Sequence, residues 1–214
     1  MSHRVLTTNT QDNLDAIVGD LDSLTTQAQQ HFTTRAKPAK VIHDPEQYST
    51  DFGKTVKWIR ASSAPSSEDT SGSSSAPVDI VAMGGLGGRV DQGLSQLHHL
   101  YLFQTSPTYA EGRLFLVSGE SVTFLLKAGR HRIHVRDGKG VGSRREEDVF
   151  DKYAGIIPVK EPSVITLRGF EWDVTDWETE FGGQMSTSNH VLPETEAVEV
   201  ETTRDVLFTI ALKR

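Results

Sequence analysis

Cysteine is absent from all 214 residues. That excludes disulfides, thiolate metal sites and a cysteine nucleophile, and it leaves the compartment open. Long apolar runs are absent as well. No stretch approaches the ~18 residues of a membrane span, and polar Met1 to Asp15 lacks the apolar centre of a signal peptide. Basic residues are in deficit: 22 Lys and Arg stand against 29 Asp and Glu, a formal charge of −7. Nucleic-acid affinity comes from neutralising phosphates with Lys and Arg, so this balance argues against a general nucleic-acid binder. The expectation is a cytoplasmic protein with neither a nucleic-acid nor a membrane partner. At roughly 100–200 residues per domain, the length allows one large domain or two small ones.

What is present changes character along the chain. Asp15 to Gly19 is a short apolar run ending in a turn, which predicts a buried strand. Thr50 is placed to cap a helix running to about Arg60, with Phe52, Thr55, Val56 and Ile59 on one face. Val78 to Met83 predicts a second strand. A glycine turn and a helix from Asp91 to Phe103 follow, with Leu94, Leu97 and Tyr101 as its apolar stripe. Strand–helix–strand–helix order implies a parallel α/β layer. Between these elements, residues 61–77 form a Ser/Pro/Gly-rich tract that cannot offset its ordering entropy by burial, and it reads as a disordered insertion. From about Ser106, short apolar strands follow closely: Leu114–Val117, Val122–Leu126, His131–Val135, Ser163–Leu167 and Val206–Ile210. That spacing predicts an all-β sandwich. The predicted division is therefore 1–105, a parallel α/β domain, and 106–214, a β-sandwich.

Three segments in the first half carry chemistry. Gly19 to Ser23 follows a strand, where open α/β sheets bind ligands. In an extended segment Asp20 and Asp22 point to one side and could hold a hard cation such as Mg²⁺; a solvated turn with a helix cap is the alternative. Asp51 falls in the first turn of a helix, where the macrodipole favours an anion. Lys54, three residues on, could reach a phosphate or merely pair with Asp51. The third segment is Gly84-Gly85-Leu86-Gly87-Gly88-Arg89-Val90-Asp91. Its glycines let the backbone approach an anion, and N–H groups at the helix start can cradle phosphate. Arg89 adds a fork for phosphate oxygens, and Asp91 could cap the helix or take a metal.

In the second half, Trp172 is read in an alternating strand, as either a core residue or an exposed ring. Ser186 to Asn189 is a run of neutral donors and acceptors suited to a heterocycle edge, or an ordinary polar turn. His98 and His99 do not face each other, so a surface and a packing role are expected. Arg130, Arg132 and Arg136 alternate with Ile133 and Val135, as on a half-exposed strand.

Taken in order, DAIVGDLDS, STDFGK, GGLGGRVDQ, GRHRIHV, AGIIPV, GFEWDV and STSN resemble the thiamin pyrophosphokinase family across nearly the whole chain. The serine-rich insertion and the wording of the motifs resemble fungal members. The resemblance implies a Rossmann-like α/β catalytic domain, a β-sandwich, and transfer of diphosphate from ATP to thiamin, yielding thiamin diphosphate and AMP. It also implies a homodimer with thiamin at the subunit interface. By motif, Asp20, Asp22 and Asp51 would serve Mg²⁺ and the phosphates. Gln47, Lys54, Gly85, Gly87, Gly88, Arg89 and Asp91 would line the nucleotide. Trp172 would stack on thiamin, and Ser186, Ser188 and Asn189 would line its pocket. Family members carry a further strand and an Ala-Asp-Gly-Gly-Ala-Asn-like motif ahead of GDLDS, which Met1 to Asn13 does not show. The expected α/β domain is accordingly incomplete, and the alternative function is an inactive thiamin-binding or dimerising remnant.

Overall fold

A computed structural model describes residues 13–63, 77–136 and 148–213. The chain divides into two compact units, residues 1–76 and 77–214. In the first, strand β1 (Ala16–Gly19) pairs in parallel with β2 (Lys40–His43), in the register Ala16↔Lys40 to Gly19↔His43. Helix α1 (Thr26–Thr33) makes the crossover. It starts at Thr25, whose hydroxyl accepts the Ala28 N–H at 3.2 Å, the bond that satisfies one orphan donor of a first turn. Helix α2 (Asp51–Ser63) begins the same way: Thr50 Oγ1 accepts the Gly53 N–H at 3.1 Å. It runs past the predicted end at Arg60, so residues 61–63 are helical rather than part of a disordered tract. The rest of that tract up to Ala76 lies outside the described residues, as does the N-terminal segment before Asn13.

In the second unit β3 (Ile80–Met83) leads through helix α3 (Val90–Leu102) to β4 (Leu114–Val117), and the two strands pair in parallel. β5 (Ser121–Leu126), β6 (Gly129–His134), β7 (Phe150–Ile157), β8 (Ser163–Arg168), β9 (Val174–Thr179), β10 (Ser186–His190), β11 (Ala197–Thr202) and β12 (Val206–Leu212) follow. They build a six-stranded sheet, β10-β7-β12-β5-β4-β3, and a four-stranded antiparallel sheet, β6-β11-β8-β9. The expected sandwich is present. Its core is drawn from inward positions of both sheets, including Ile156, Ile165, Leu167, Val198, Val200, Phe208 and Ile210. The α/β pattern does not stop at the sandwich, because β3 and β4 extend one of its sheets.

The stripe expected on α3 is different. Leu94 is exposed, and the buried residues are Gln96, His99 and Leu100. His98 is exposed and His99 buried, with its Nδ1 at 2.5 Å from the Ser95 carbonyl, in keeping with one surface and one packing role. Arg130 and Arg132 lie on β6 opposite Glu201 and Glu199 of β11, at 2.8 and 3.2 Å, as a half-exposed strand requires.

Candidate active site

The end of β1 and the start of α2 bring acidic groups together. Asp51 Oδ1 accepts the Asp20 N–H at 3.0 Å. Asp20 Oδ1 in turn accepts the Asp22 N–H at 3.1 Å, closing an Asx turn with Leu21 in the left-handed region at φ 65°. Gly19 permits this approach. A Cβ there would stand 2.7 Å from both Cγ and Oδ1 of Asp51, inside any tolerable contact. Asp51 also pairs with Lys54 Nζ at 3.5 Å, and the Lys54 side chain is 1% exposed. The pairing with Asp51 expected for Lys54 is thus present, with its ammonium buried. Gln47 is exposed, with Nε2 donating to the Pro45 carbonyl at 3.2 Å.

Among the described residues no three acidic or histidine side chains are grouped closely enough to hold a metal by themselves. The expected set of Asp20, Asp22 and Asp51 is therefore linked through backbone N–H groups rather than gathered as a three-carboxylate cage. The donor set still suits Mg²⁺, a hard ion that commonly takes one or two carboxylates, with water and substrate phosphate completing its octahedron. Asp22 is exposed and Asp51 keeps a second oxygen beyond its bond to Asp20.

The glycine turn lies in the second unit, between β3 and α3. Gly84, Gly87 and Gly88 have φ of 77°, 143° and 70°, and the space where their Cβ atoms would stand is open. Glycine serves backbone conformation here, not crowding. Gly85 differs: a Cβ would meet Leu116 Cδ2 at 3.4 Å. α3 starts at Arg89, which makes no side-chain cap bond, and the Asp91 carboxyl lies against the N–H groups of Asp91 and Gln92 in the first turn. Arg89 and Asp91 bind each other. Nε reaches Oδ1 at 3.0 Å and Nη2 reaches Oδ2 at 2.5 Å. This bond raises the guanidinium further above its ordinary pKa and holds the Asp91 carboxyl below the usual range.

A second constellation lies where β10 meets β7. Trp172 is in a turn after Phe170, not in the alternating strand expected from sequence, and it is 53% exposed. That settles the choice between core and exposed ring for the exposed ring. Ser186 to Asn189 is strand β10 rather than a turn. Its register shifts between Ser186 and Asn189, and Ser188 adopts φ 54°. This bulge re-aims side chains, so Ser188 faces outward while Asn189 is buried at 3%. Asn189 spends its amide on Trp172: Oδ1 accepts Trp172 N–H at 3.2 Å, and Nδ2 donates to the Trp172 carbonyl at 3.0 Å. Sequence reasoning missed three neighbours. The His190 ring lies tilted at 4.8 Å from Trp172 and edge-on at 5.1 Å from Tyr153, and Glu171 Oε2 meets His190 Nδ1 at 2.5 Å. The available signal was position: Glu171 lies inside GFEWDV, and His190 directly follows STSN.

No helix among the described residues is long and apolar enough to cross a membrane. Two family models match the chain. "Thiamin pyrophosphokinase, catalytic domain" covers residues 2–110, and "Thiamin pyrophosphokinase, vitamin B1 binding domain" covers 130–207. A thiamine pyrophosphokinase of Arabidopsis thaliana is 33% identical over 203 residues, 94% of this chain and 66% of that protein. Relatives in Caenorhabditis elegans and Saccharomyces cerevisiae are 28% and 24% identical. The chain thus spans just under two thirds of the length of its plant relatives, and relatives from plants, a nematode and a yeast do not support a specifically fungal origin. The fold resembles that of thiamin pyrophosphokinase from Candida albicans, with TM-score 0.75 and 23% identity over 95% of this chain and 75% of that one. The yeast enzyme's structure gives TM-score 0.72. With one family model spanning more than half of its residues and a second spanning most of the remainder, the chain belongs to the thiamin pyrophosphokinase family.

Proposed function

We propose that this protein transfers diphosphate from ATP to the hydroxyethyl oxygen of thiamin, releasing AMP. The observation that carries the reading is the succession of both family regions, catalytic and vitamin-binding, on one chain. The domain assignment proposed with it is 1–105 for catalysis and 106–214 for thiamin binding.

Diphosphoryl transfer asks a protein for charge neutralisation and in-line placement more than for covalent chemistry. The N–H groups of the glycine turn suit phosphate oxygens, as would those at the start of α3 once phosphate displaces the Asp91 carboxyl. Arg89 would offer its guanidinium once it exchanges Asp91 for phosphate, and Gln47 would line the nucleotide. Asp51, oriented by the Asp20 N–H and balanced by Lys54, would hold Mg²⁺ with Asp20 and Asp22. When bound, the ion supplies charge neutralisation on the transferring phosphates. An aspartate near the thiamin hydroxyl would accept its proton as the oxygen attacks the β-phosphorus and the bond to the α-phosphate oxygen breaks. Trp172 would stack on thiamin, since an indole face favours a flat cation, with Ser186 and Ser188 beside it.

We also propose that the protein acts in the cytoplasm as a homodimer with thiamin at the subunit interface. Exposed Trp172, Phe181 and Met185 supply apolar surface for such a contact. The test is AMP release from ATP by the purified, folded chain, with and without thiamin and Mg²⁺. Release that depends on both supports the reading, and none in a folded sample rejects it. Thiamin binding without release would favour the binding remnant instead.

A further inference from the structure

Trp172 is pinned at its main chain but not, by the same bonds, at its ring. Asn189 holds the Trp172 N–H and carbonyl at 3.2 and 3.0 Å, which fixes the backbone and leaves both indole torsions unset. The residue is 53% exposed, so packing covers only part of the ring. Its aromatic contact among the described residues is His190, whose ring centroid lies 4.8 Å from that of the indole at a 50° tilt.

His190 is itself braced from several directions. Its Nδ1 is 2.5 Å from Glu171 Oε2. Its carbonyl accepts the Glu171 N–H at 2.8 Å. Across the β10–β7 pair it is the register partner of Tyr153, whose ring meets the imidazole edge-on at 5.1 Å and 74°. Lys152 Nζ in turn lies 5.0 Å from the Tyr153 centroid. Glu171, adjacent to Trp172 in sequence, therefore orients the imidazole that orients the indole.

We infer that His190 is a positioning residue for Trp172: held by Glu171 and Tyr153, its ring fixes the indole in the orientation that receives a flat cationic ring. A ring fixed before binding spares the ligand the cost of ordering it. The inference rests on the proposed reading that Trp172 stacks on thiamin, and the test separates the two.

The full chain, labelled with 5-fluorotryptophan, carries three reporters: Trp58, Trp172 and Trp177. The Trp172 fluorine resonance is identified by its loss in Trp172→Phe. In His190→Ala that resonance alone moves toward the position of the free amino acid, while those of Trp58 and Trp177 stay and report an intact fold. Titration with thiamin then gives an affinity reduced about 2- to 10-fold, the scale of one aromatic contact. His190→Phe, which restores a ring but not the Nδ1 contact, recovers most of both effects. Should His190→Ala disturb all three resonances, His190→Leu, which fills the space without a ring, carries the test, and the Trp172 resonance alone moves. An unmoved Trp172 resonance in the variant that keeps its fold overturns the inference, as does an affinity that His190→Phe leaves as low as His190→Ala. If the unsubstituted protein shows no change up to millimolar thiamin, the proposed function fails, while the resonances of the free proteins still decide the positioning role.

Discussion

Asp51 has three neighbours that fix its carboxylate: the Asp20 N–H, the Lys54 ammonium and the bare α-carbon of Gly19. The last is the most sensitive to substitution, since it is a matter of contact. In Gly19→Ala the new methyl would stand 2.7 Å from Asp51 Oδ1, so the carboxylate must swing away or β1 must shift. Overpacking of this kind costs about 1–3 kcal/mol. The expected outcome is a lower denaturation midpoint and AMP release reduced as far as in Asp51→Asn, both read in one purified series. Full activity in Gly19→Ala would show that the carboxylate does not need its present position. Arg89 makes a different case. Its pair with Asp91 is exposed, and exposed pairs add little to stability. Arg89→Ala should therefore leave the melting temperature unchanged, raise KM for ATP at least about tenfold through the lost charge-assisted bonds, and leave thiamin affinity intact. Equal losses for both substrates would place Arg89 outside the nucleotide side.

At the scale of elements, glycine sets where strands begin. Gly112 has φ 82°, and a Cβ there would lie 2.2 Å from the Val78 carbonyl oxygen. The three nearest atoms, Val78 O and C and Asp79 N, are all main chain, at the point where Ile80 N–H donates to Arg113 O at 2.8 Å and Arg113 N–H to Asp79 Oδ1 at 2.7 Å. Relief requires moving β3 against β4, so Gly112→Ala should cost at least ~2 kcal/mol, measured by urea unfolding; a change within experimental error would mean this turn relaxes freely. Such constraints also mark how far the sequence can be read. Strands with apolar alternation or runs, such as Leu114–Val117 and Ser163–Leu167, announced themselves. So did α2, because Thr50 is a capping residue and Val56 is buried. β11 was equally legible in principle: Val198, Val200 and Thr202 alternate inward. β10 was not. Its residues are polar, its inward member is an asparagine satisfied by a turn in another element, and its bulge has no composition signal. On α3 the apolar stripe misled because Gln96 and His99 take buried positions while Leu94 and Leu102 stay exposed.

For the whole molecule, the formal charge of −7 grows more negative in alkali, and self-repulsion then works against the folded state. One buried group should contribute separately to that decline. Tyr101 on α3 has its hydroxyl pushed up to about 12, first by burial and then by the charge of Asp205. An unfolded tyrosine ionises near 10. The folded state therefore keeps a proton that the unfolded chain releases. The resulting stabilisation is fully present below about pH 10 and is lost as pH rises toward about 12. Tyr109 is raised in the same direction by burial, but its hydroxyl also bonds the Leu125 carbonyl at 3.1 Å and the Lys127 N–H at 3.0 Å. Tyr109→Phe would lose those bonds at every pH, which makes Tyr101→Phe the cleaner probe. Urea midpoints followed upward from neutral pH should fall for both proteins through general repulsion, and less steeply for Tyr101→Phe above about pH 10. Parallel curves would mean that Tyr101 ionises in the folded protein as readily as in the unfolded chain, and that charge repulsion alone accounts for the alkaline loss.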